Sequence, residues 1–156
     1  MPLADLVIDS VAWNEVQVLR GTAVELANSL RRFVRAGSAD EAASLWAECE
    51  GVAFAQNTIY AAAVPVVDVM LAVLTDHPAD FLRSWALEVL RFILNGDSES
   101  DPSLRRECLR RAETGRWLLA AEACRTDRVD YRDALIEVLE MIDPALRRMV
   151  VAATSG

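Results

Sequence analysis

Almost every segment of this chain spaces its apolar residues three and four apart, which is typical of amphipathic helices. Ala, Leu, Arg and Glu are abundant, and all four favour helix. No segment alternates polar and apolar residues between turns, so the sequence predicts an all-α fold without a sheet. The length of 156 residues is enough for a sizeable core, and we predict a single helical domain over residues 1–156.

Capping sequences mark where the helices begin and end. Thr22 and Ser38 each precede a Glu by three residues, which is the pattern of a capping box. Asp101 and Asp143 each precede a proline, which favours the first helical turn. Gly96 follows an Asn and is a stop signal. These signals predict helices at about 11–20, 23–35, 39–50, 58–75, 78–94, 102–123, 129–142 and 144–152.

The predicted helices form pairs that repeat with a period near 40 residues. Residues 23–26 align with residues 63–66, and Trp46 aligns with Trp85, so both tryptophans are predicted to be core. Two helices per repeat at this period indicate an α-solenoid, in which stacking buries faces that one pair cannot bury alone. We predict a capping helix at about 11–20, pairs at about 22–50, 58–95 and 102–142, and a C-terminal helix at about 144–152.

Two neighbouring segments carry a family resemblance. Residues 71–76 are L-A-V-L-T-D, and residues 82–90 are L-R-S-W-A-L-E-V-L. Pro65 lies in the same predicted helix as the first segment. Together these features resemble a HEAT-like repeat. Residues 21–96 are similar to small bacterial HEAT-like proteins of mostly unknown function. The resemblance implies a short right-handed α-solenoid of about three HEAT-like helix pairs with helical caps. It also implies protein binding, although some such modules serve DNA-base excision, bilin attachment or toxin neutralisation.

Charge and apolar patterning limit the possible partners and compartments. The chain has 24 acidic and 16 basic residues, and its net charge of −8 disfavours nucleic acid and anionic membranes. The longest apolar stretch, residues 59–74, is shorter than the roughly 20 residues that span a bilayer. The first residues lack the features of a signal peptide. Because Cys49, Cys108 and Cys124 lack metal-ligand or C-x-x-C spacing, we expect buried free thiols in a cytoplasmic protein.

No residue pattern carries a catalytic or cofactor-binding signature. His77 is the only histidine, and its place between Asp76 and Pro78 favours an exposed turn. The spaced aspartates of residues 127–133 lack the Gly and Glu of a calcium loop. No glycine-rich phosphate loop is present. We therefore expect no enzyme activity, no metal site and no cofactor.

Acidic residues fall in phase on three of the predicted helices. These are the second helices of the three pairs, so stacking would place their acidic faces side by side on the concave surface. Such a ridge suits a basic protein partner, and an ordinary solvated face is the alternative. The predicted partner-binding residues are Glu41, Glu48, Asp80, Glu88, Asp133, Glu137 and Glu140.

Together these patterns favour a non-enzymatic protein-binding module, and most concretely an immunity- or antitoxin-type inhibitor of a basic partner. Two alternatives stay open, a HEAT-like nucleobase glycosylase or lyase and an adaptor subunit of a larger assembly. The enzyme would need a basic groove with aromatic residues, and the Arg cluster of residues 105–111 has few aromatic neighbours. Trp13 or Trp117, if exposed, would be an anchor for binding.

Overall fold

A computed structural model describes all 156 residues, and they form nine α-helices and one small hairpin. The hairpin pairs β1 (Phe54–Ala55) with β2 (Thr58–Ile59) in antiparallel fashion. The prediction of a mainly helical fold is confirmed, and the prediction that no sheet forms is wrong. The helices are α1 (Leu3–Ser10), α2 (Ala23–Phe33), α3 (Ala39–Cys49), α4 (Ala63–Thr75), α5 (Asp80–Asn95), α6 (Ser103–Glu113), α7 (Arg116–Arg125), α8 (Val129–Ile142) and α9 (Pro144–Thr154).

The local capping signals work as predicted at α2, α3 and α9. The Thr22 hydroxyl accepts from the backbone N–H of Glu25 at 3.1 Å, and the Glu25 carboxylate accepts from the Thr22 N–H at 3.0 Å. Ser38 accepts from the N–H of Glu41 at 3.2 Å, which starts α3. Asp143 accepts from the N–H of Leu146 at 3.0 Å, which starts α9. Each cap satisfies a donor that the helix itself leaves unpaired.

The predicted capping helix at 11–20 is wrong, because the first helix is α1. Its N-terminus has no local side-chain cap. Instead the Asp76 carboxylate, directly after α4, accepts from the backbone N–H groups of Leu3 and Ala4 at 2.8 and 3.0 Å. Residues 11–22 are irregular apart from one 3-10 turn, Trp13–Glu15. A cap supplied across 73 residues leaves no local signal in the sequence.

The predicted helix start at residue 58 is also wrong, since residues 58–59 form β2 and α4 begins at Ala63. The hairpin pairs with the segment that follows α5. The Ile59 N–H donates to the Asp97 carbonyl at 2.9 Å, and the Asp97 N–H donates to the Asn57 carbonyl at 2.8 Å. Contacts distant in sequence therefore override the helix propensity of this stretch.

The predicted helix at 102–123 is two helices, α6 and α7, separated at Thr114 and Gly115. The backbone of this turn lies close to α4. A Cβ added at Gly115 would lie 2.6 Å from Cδ2 of Leu71. The break allows α6 to pack on α4 while α7 turns away to pack on α8 and α9.

The core is one continuous cluster of 44 buried apolar residues. Helix α4 lies within it and packs against α1, α5 and α6, while α5 also packs against α3 and α8. Helices α7, α8 and α9 pack on one another at the C-terminal end of the chain. None of the helices combines the length and the apolar character needed to cross a membrane.

Side-chain burial corrects two expectations about individual residues. Trp46 is buried between Phe33 and Phe54, with ring centroids 5.8 and 5.4 Å away. Trp85 is partly buried and packs against the edge of the core, and Phe92 on the same helix is 48% exposed, so the prediction of Trp85 as core is confirmed only in part. Of the three free thiols only Cys124 is exposed, because it lies on the outer side of α7 rather than in the core.

Candidate functional site

The predicted acidic residues lie on three helices that contact each other through α5. Helix α5 packs against α3 and against α8, and we call the outward surface of these three helices the α3–α5–α8 face. The outward positions of α5 follow helical spacing and include the half-buried Trp85 and Glu88 and the exposed Phe92. Phe92 stacks on Phe54 at 6.0 Å, so one side of its ring is supported and the other faces solvent.

Arg91 brings two of the predicted residues together. Its guanidinium contacts the Glu88 carboxylate at 2.7 Å and the Glu137 carboxylate at 2.6 Å. Since Glu88 lies on α5 and Glu137 on α8, this arginine ties the two helices across the face. The carboxylates of Glu88 and Glu137 are therefore not free to bind a partner.

Three other predicted acids also have arginine partners. Asp80 pairs with Arg83 at 2.6 Å, Glu48 pairs with Arg32 at 3.2 Å, and Glu140 pairs with Arg147 at 3.3 Å. These pairs are mostly exposed and contribute little to stability.

The remaining two predicted residues, Glu41 and Asp133, form no ion pair. Glu41 accepts from the backbone N–H of Gly37 at 2.9 Å, and Asp133 is exposed. Counted over whole helices, α3 and α8 each carry a net charge of −3, and α5 is neutral. The face therefore keeps an acidic balance although arginines neutralise its centre.

A polar cavity of about 300 Å³ lies where the turn between α4 and α5 meets α7 and α8. Glu122 is only 4% exposed, and its Oε2 atom lies 3.3 Å from Arg83 and 3.4 Å from the Tyr131 hydroxyl. His77 Nδ1 lies 3.8 Å from Oε1 of the same carboxylate. His77 has a φ of +49°, a conformation that is uncommon for residues other than glycine.

The chemistry of this cavity is that of a buried ion-pair network. Burial, followed by the nearby Glu122 carboxylate, raises the pKa of Tyr131, so its hydroxyl stays protonated and donates. Arg83 compensates the charge of Glu122. No serine or cysteine lines the cavity, and nowhere in the chain do three or more His, Cys, Asp or Glu side chains form a group that could hold a metal ion.

The sequence did not reveal this network because Glu122 lies 45 residues beyond His77. One signal was available. Glu122 falls between Ala120 and Ala123, on the buried side of α7, where an acid must find a partner. The network joins α5, α7 and α8, and of the predicted residues only Asp80 lines its cavity.

The Arg cluster of α6 serves the fold. Arg105 donates to the carbonyls of Leu94 and Gly96 at 2.5 and 2.8 Å, which satisfies the end of α5. Hydrogen bonds from Arg110 and Arg111 lower the pKa of Glu107 to about 2. Of the four arginines, only Arg106 is exposed without an acidic or carbonyl partner.

Comparisons with protein-family models, curated proteins and solved structures find no match to this chain. Two surfaces of the chain stand out, the acidic α3–α5–α8 face with its aromatic residues and the polar cavity at one end of α5.

Proposed function

We propose that this chain is a non-enzymatic protein-binding module that holds a basic partner on the α3–α5–α8 face. The observation that carries the proposal is the combination of charge and aromatic surface. Two helices of net charge −3 pack against a neutral helix whose outward side presents Phe92 and Trp85. Binding sites in proteins commonly place aromatic anchors among charged residues that set specificity.

The proposed architecture is a short right-handed solenoid of HEAT-like helix pairs. Support comes from the packing of α2 on α3 and of α4 on α5, followed by contact between the second members, α3 and α5. In a stack of this kind, successive second helices form one continuous surface. The acidic face would then extend over the whole stack rather than over a single helix.

The acidic balance specifies the chemistry of the partner. A field from α3 and α8 raises the rate at which a basic protein arrives, and Phe92 and Trp85 then supply apolar contact. An immunity-type inhibitor of a basic toxin is the most concrete form of this function. Because all three cysteines are free thiols, a reducing compartment such as the cytoplasm suits the chain.

The first prediction tests this function with a charge reversal that leaves Arg91 paired. Glu48→Arg/Asp133→Arg removes acids from α3 and α8 without touching Glu88 or Glu137. We expect association with the natural partner, isolated from the native cells, to slow at least tenfold at low salt and to lose most of its salt dependence. Stopped-flow or biolayer measurements at two salt concentrations provide the rates.

A matched control keeps the same change in net charge away from the face. Glu15 and Glu99 are exposed and form no ion pair, so Glu15→Arg/Glu99→Arg should bind the partner like the parent protein. Equal loss in both variants would show that only total charge matters. A partner that is itself acidic, or one bound unchanged by Glu48→Arg/Asp133→Arg, would refute the proposal.

A further inference from the structure

The polar cavity between α5, α7 and α8 contains a carboxylate oxygen that no protein group satisfies. Glu122 is only 4% exposed, and its Oε2 atom receives both of its hydrogen bonds, from Arg83 and from Tyr131. Its Oε1 atom receives none from the protein. His77 Nδ1 lies 3.8 Å from Oε1, which is too far for a hydrogen bond. Because buried polar atoms in proteins are almost always hydrogen-bonded, Oε1 is the place where a ligand would donate.

The spacing of Glu122 Oε1 and His77 Nδ1 suits an ammonium group. Hydrogen bonds from an ammonium to these acceptors are about 2.8 Å long. One ammonium nitrogen can therefore lie within reach of both acceptors, which are 3.8 Å apart. The carboxylate oxygen accepts one proton, and the neutral imidazole accepts another at the ring nitrogen that carries no hydrogen. Both residues line the cavity, so an ammonium held here would belong to a molecule inside it.

A cation on the same helix also has no acidic partner. Arg125 lines the cavity and is exposed, and its only hydrogen bond runs from Nε to the Ala121 carbonyl at 3.2 Å. Arg125 follows Glu122 by three residues, so the two side chains are neighbours on α7, yet they form no ion pair with each other. An ammonium and a carboxylate attached to one carbon can contact both side chains, the ammonium at Glu122 and the carboxylate at Arg125.

The rest of the lining indicates what kind of side chain the ligand carries. Three acidic and three arginine side chains line the cavity, so with a neutral His77 their formal charges cancel and favour a ligand without net charge. No aliphatic side chain lines it, which favours polar groups. Its volume of about 300 Å³ is at the lower end for small-molecule sites. We propose that this cavity binds a free α-amino acid with an uncharged polar side chain.

This site goes beyond the proposed function, because its ligand is a small molecule rather than a protein. The second prediction uses isothermal titration calorimetry with L-serine, L-threonine, L-asparagine and L-glutamine, each tested alone. We expect at least one to bind with a dissociation constant of about 1 mM or lower. L-Leucine and L-glutamate, one apolar and one charged, should bind at least tenfold more weakly than the tightest of the four. Acetylation of its amino group, or conversion of its carboxylate to an amide, should each weaken binding at least tenfold.

Variants of the protein localise the binding. Glu122→Gln keeps the shape of the side chain but removes its charge, and should weaken binding of the amino acid at least tenfold. Arg125→Ala should weaken it at least fivefold, whereas Arg148→Ala, which removes an exposed arginine outside the cavity, should not. Circular dichroism verifies that each variant folds. If Glu122→Gln does not fold, His77→Gly tests the ammonium position, because glycine readily adopts the φ of +49° found there, and it should weaken binding at least threefold.

Several outcomes would overturn the inference. One is that none of the four amino acids binds at ten times the expected dissociation constant. Equal affinity for the acetylated or amidated derivative would show that the cavity does not recognise the two charges. Unchanged binding by Arg125→Ala, or an equal loss in Arg148→Ala, would place the ligand elsewhere. Glu48→Arg/Asp133→Arg should bind the amino acid like the parent, so this test and the test of the acidic face fail independently.

Discussion

The three cysteines occupy contrasting surroundings. Cys49 and Cys108 lie in the core, and burial raises the pKa of each thiol from 9.0 to about 12. Cys124 lies exposed on α7, on the side next to α9. Because the thiolate is the reactive form, burial suppresses the reaction of the first two both by limiting access and by keeping them protonated.

The third prediction follows from this contrast. At pH 8 a thiol of pKa about 12 is ionised in roughly one molecule in ten thousand, so iodoacetamide should label the folded protein once, at Cys124. Intact-mass spectrometry counts the labels, and three should appear after denaturation. The variant Cys124→Ser should remain unlabelled while folded. Rapid labelling of Cys49 or Cys108 in folded protein would mean that the core opens at that helix.

At the scale of elements, α1 depends on a cap that another helix supplies. The Asp76 carboxylate accepts hydrogen bonds from the N–H groups of Leu3 and Ala4, while Pro2 offers no side-chain oxygen. Ala4 and Ile8 then bury the inner side of α1 against the core. One carboxylate therefore satisfies the first turn of α1 and joins it to the end of α4.

The fourth prediction is that Asp76→Ala destabilises the protein by about 1 kcal/mol, the usual cost of losing a helix cap. Denaturant melts give the free energy of unfolding. Compared with the parent, the variant should show faster hydrogen exchange in Leu3–Ser10 and unchanged exchange elsewhere. Asp127→Ala is the control, since this exposed aspartate accepts no hydrogen bond. Uniformly faster exchange in all helices would contradict a local role for Asp76.

On the scale of the whole molecule, helices from both ends of the chain share one core. The 44 buried apolar residues extend from Ala4 in α1 to Val150 in α9 without a division. Helix α4 links the N-terminal helix to α5 and α6, and α5 continues the packing to α8. Loss of either central helix would expose the faces of several others, which is the condition for cooperative unfolding.

The fifth prediction is a single unfolding transition. Helix content from circular dichroism and tryptophan emission should give the same midpoint in urea, because no group of helices has a core of its own. The variant Trp117→Phe removes the exposed tryptophan at the C-terminal end. The urea midpoint of its tryptophan emission should still equal the midpoint of its circular dichroism signal. Two separate midpoints would show that α7, α8 and α9 unfold independently of the rest.

The helical class and several helix starts follow from local sequence patterns. The caps at Thr22, Ser38 and Asp143 join side chains to backbone groups three residues away, so their geometry is encoded locally. The sequence also predicts which acidic residues share one face of α3 and one face of α8, because helical spacing alone places residues on a face. Whether that face binds a partner stays a prediction.

Other features could not be predicted in this way, because they depend on contacts between residues far apart in the chain. Asp76 caps a helix 73 residues earlier, and Arg91 holds a carboxylate on α8 as well as one on its own helix. Glu122 meets Arg83 across 39 residues, and Trp117 faces a groove whose other wall is α9. No local pattern encodes which distant side chain will arrive, and packing selects it from the many that the sequence allows.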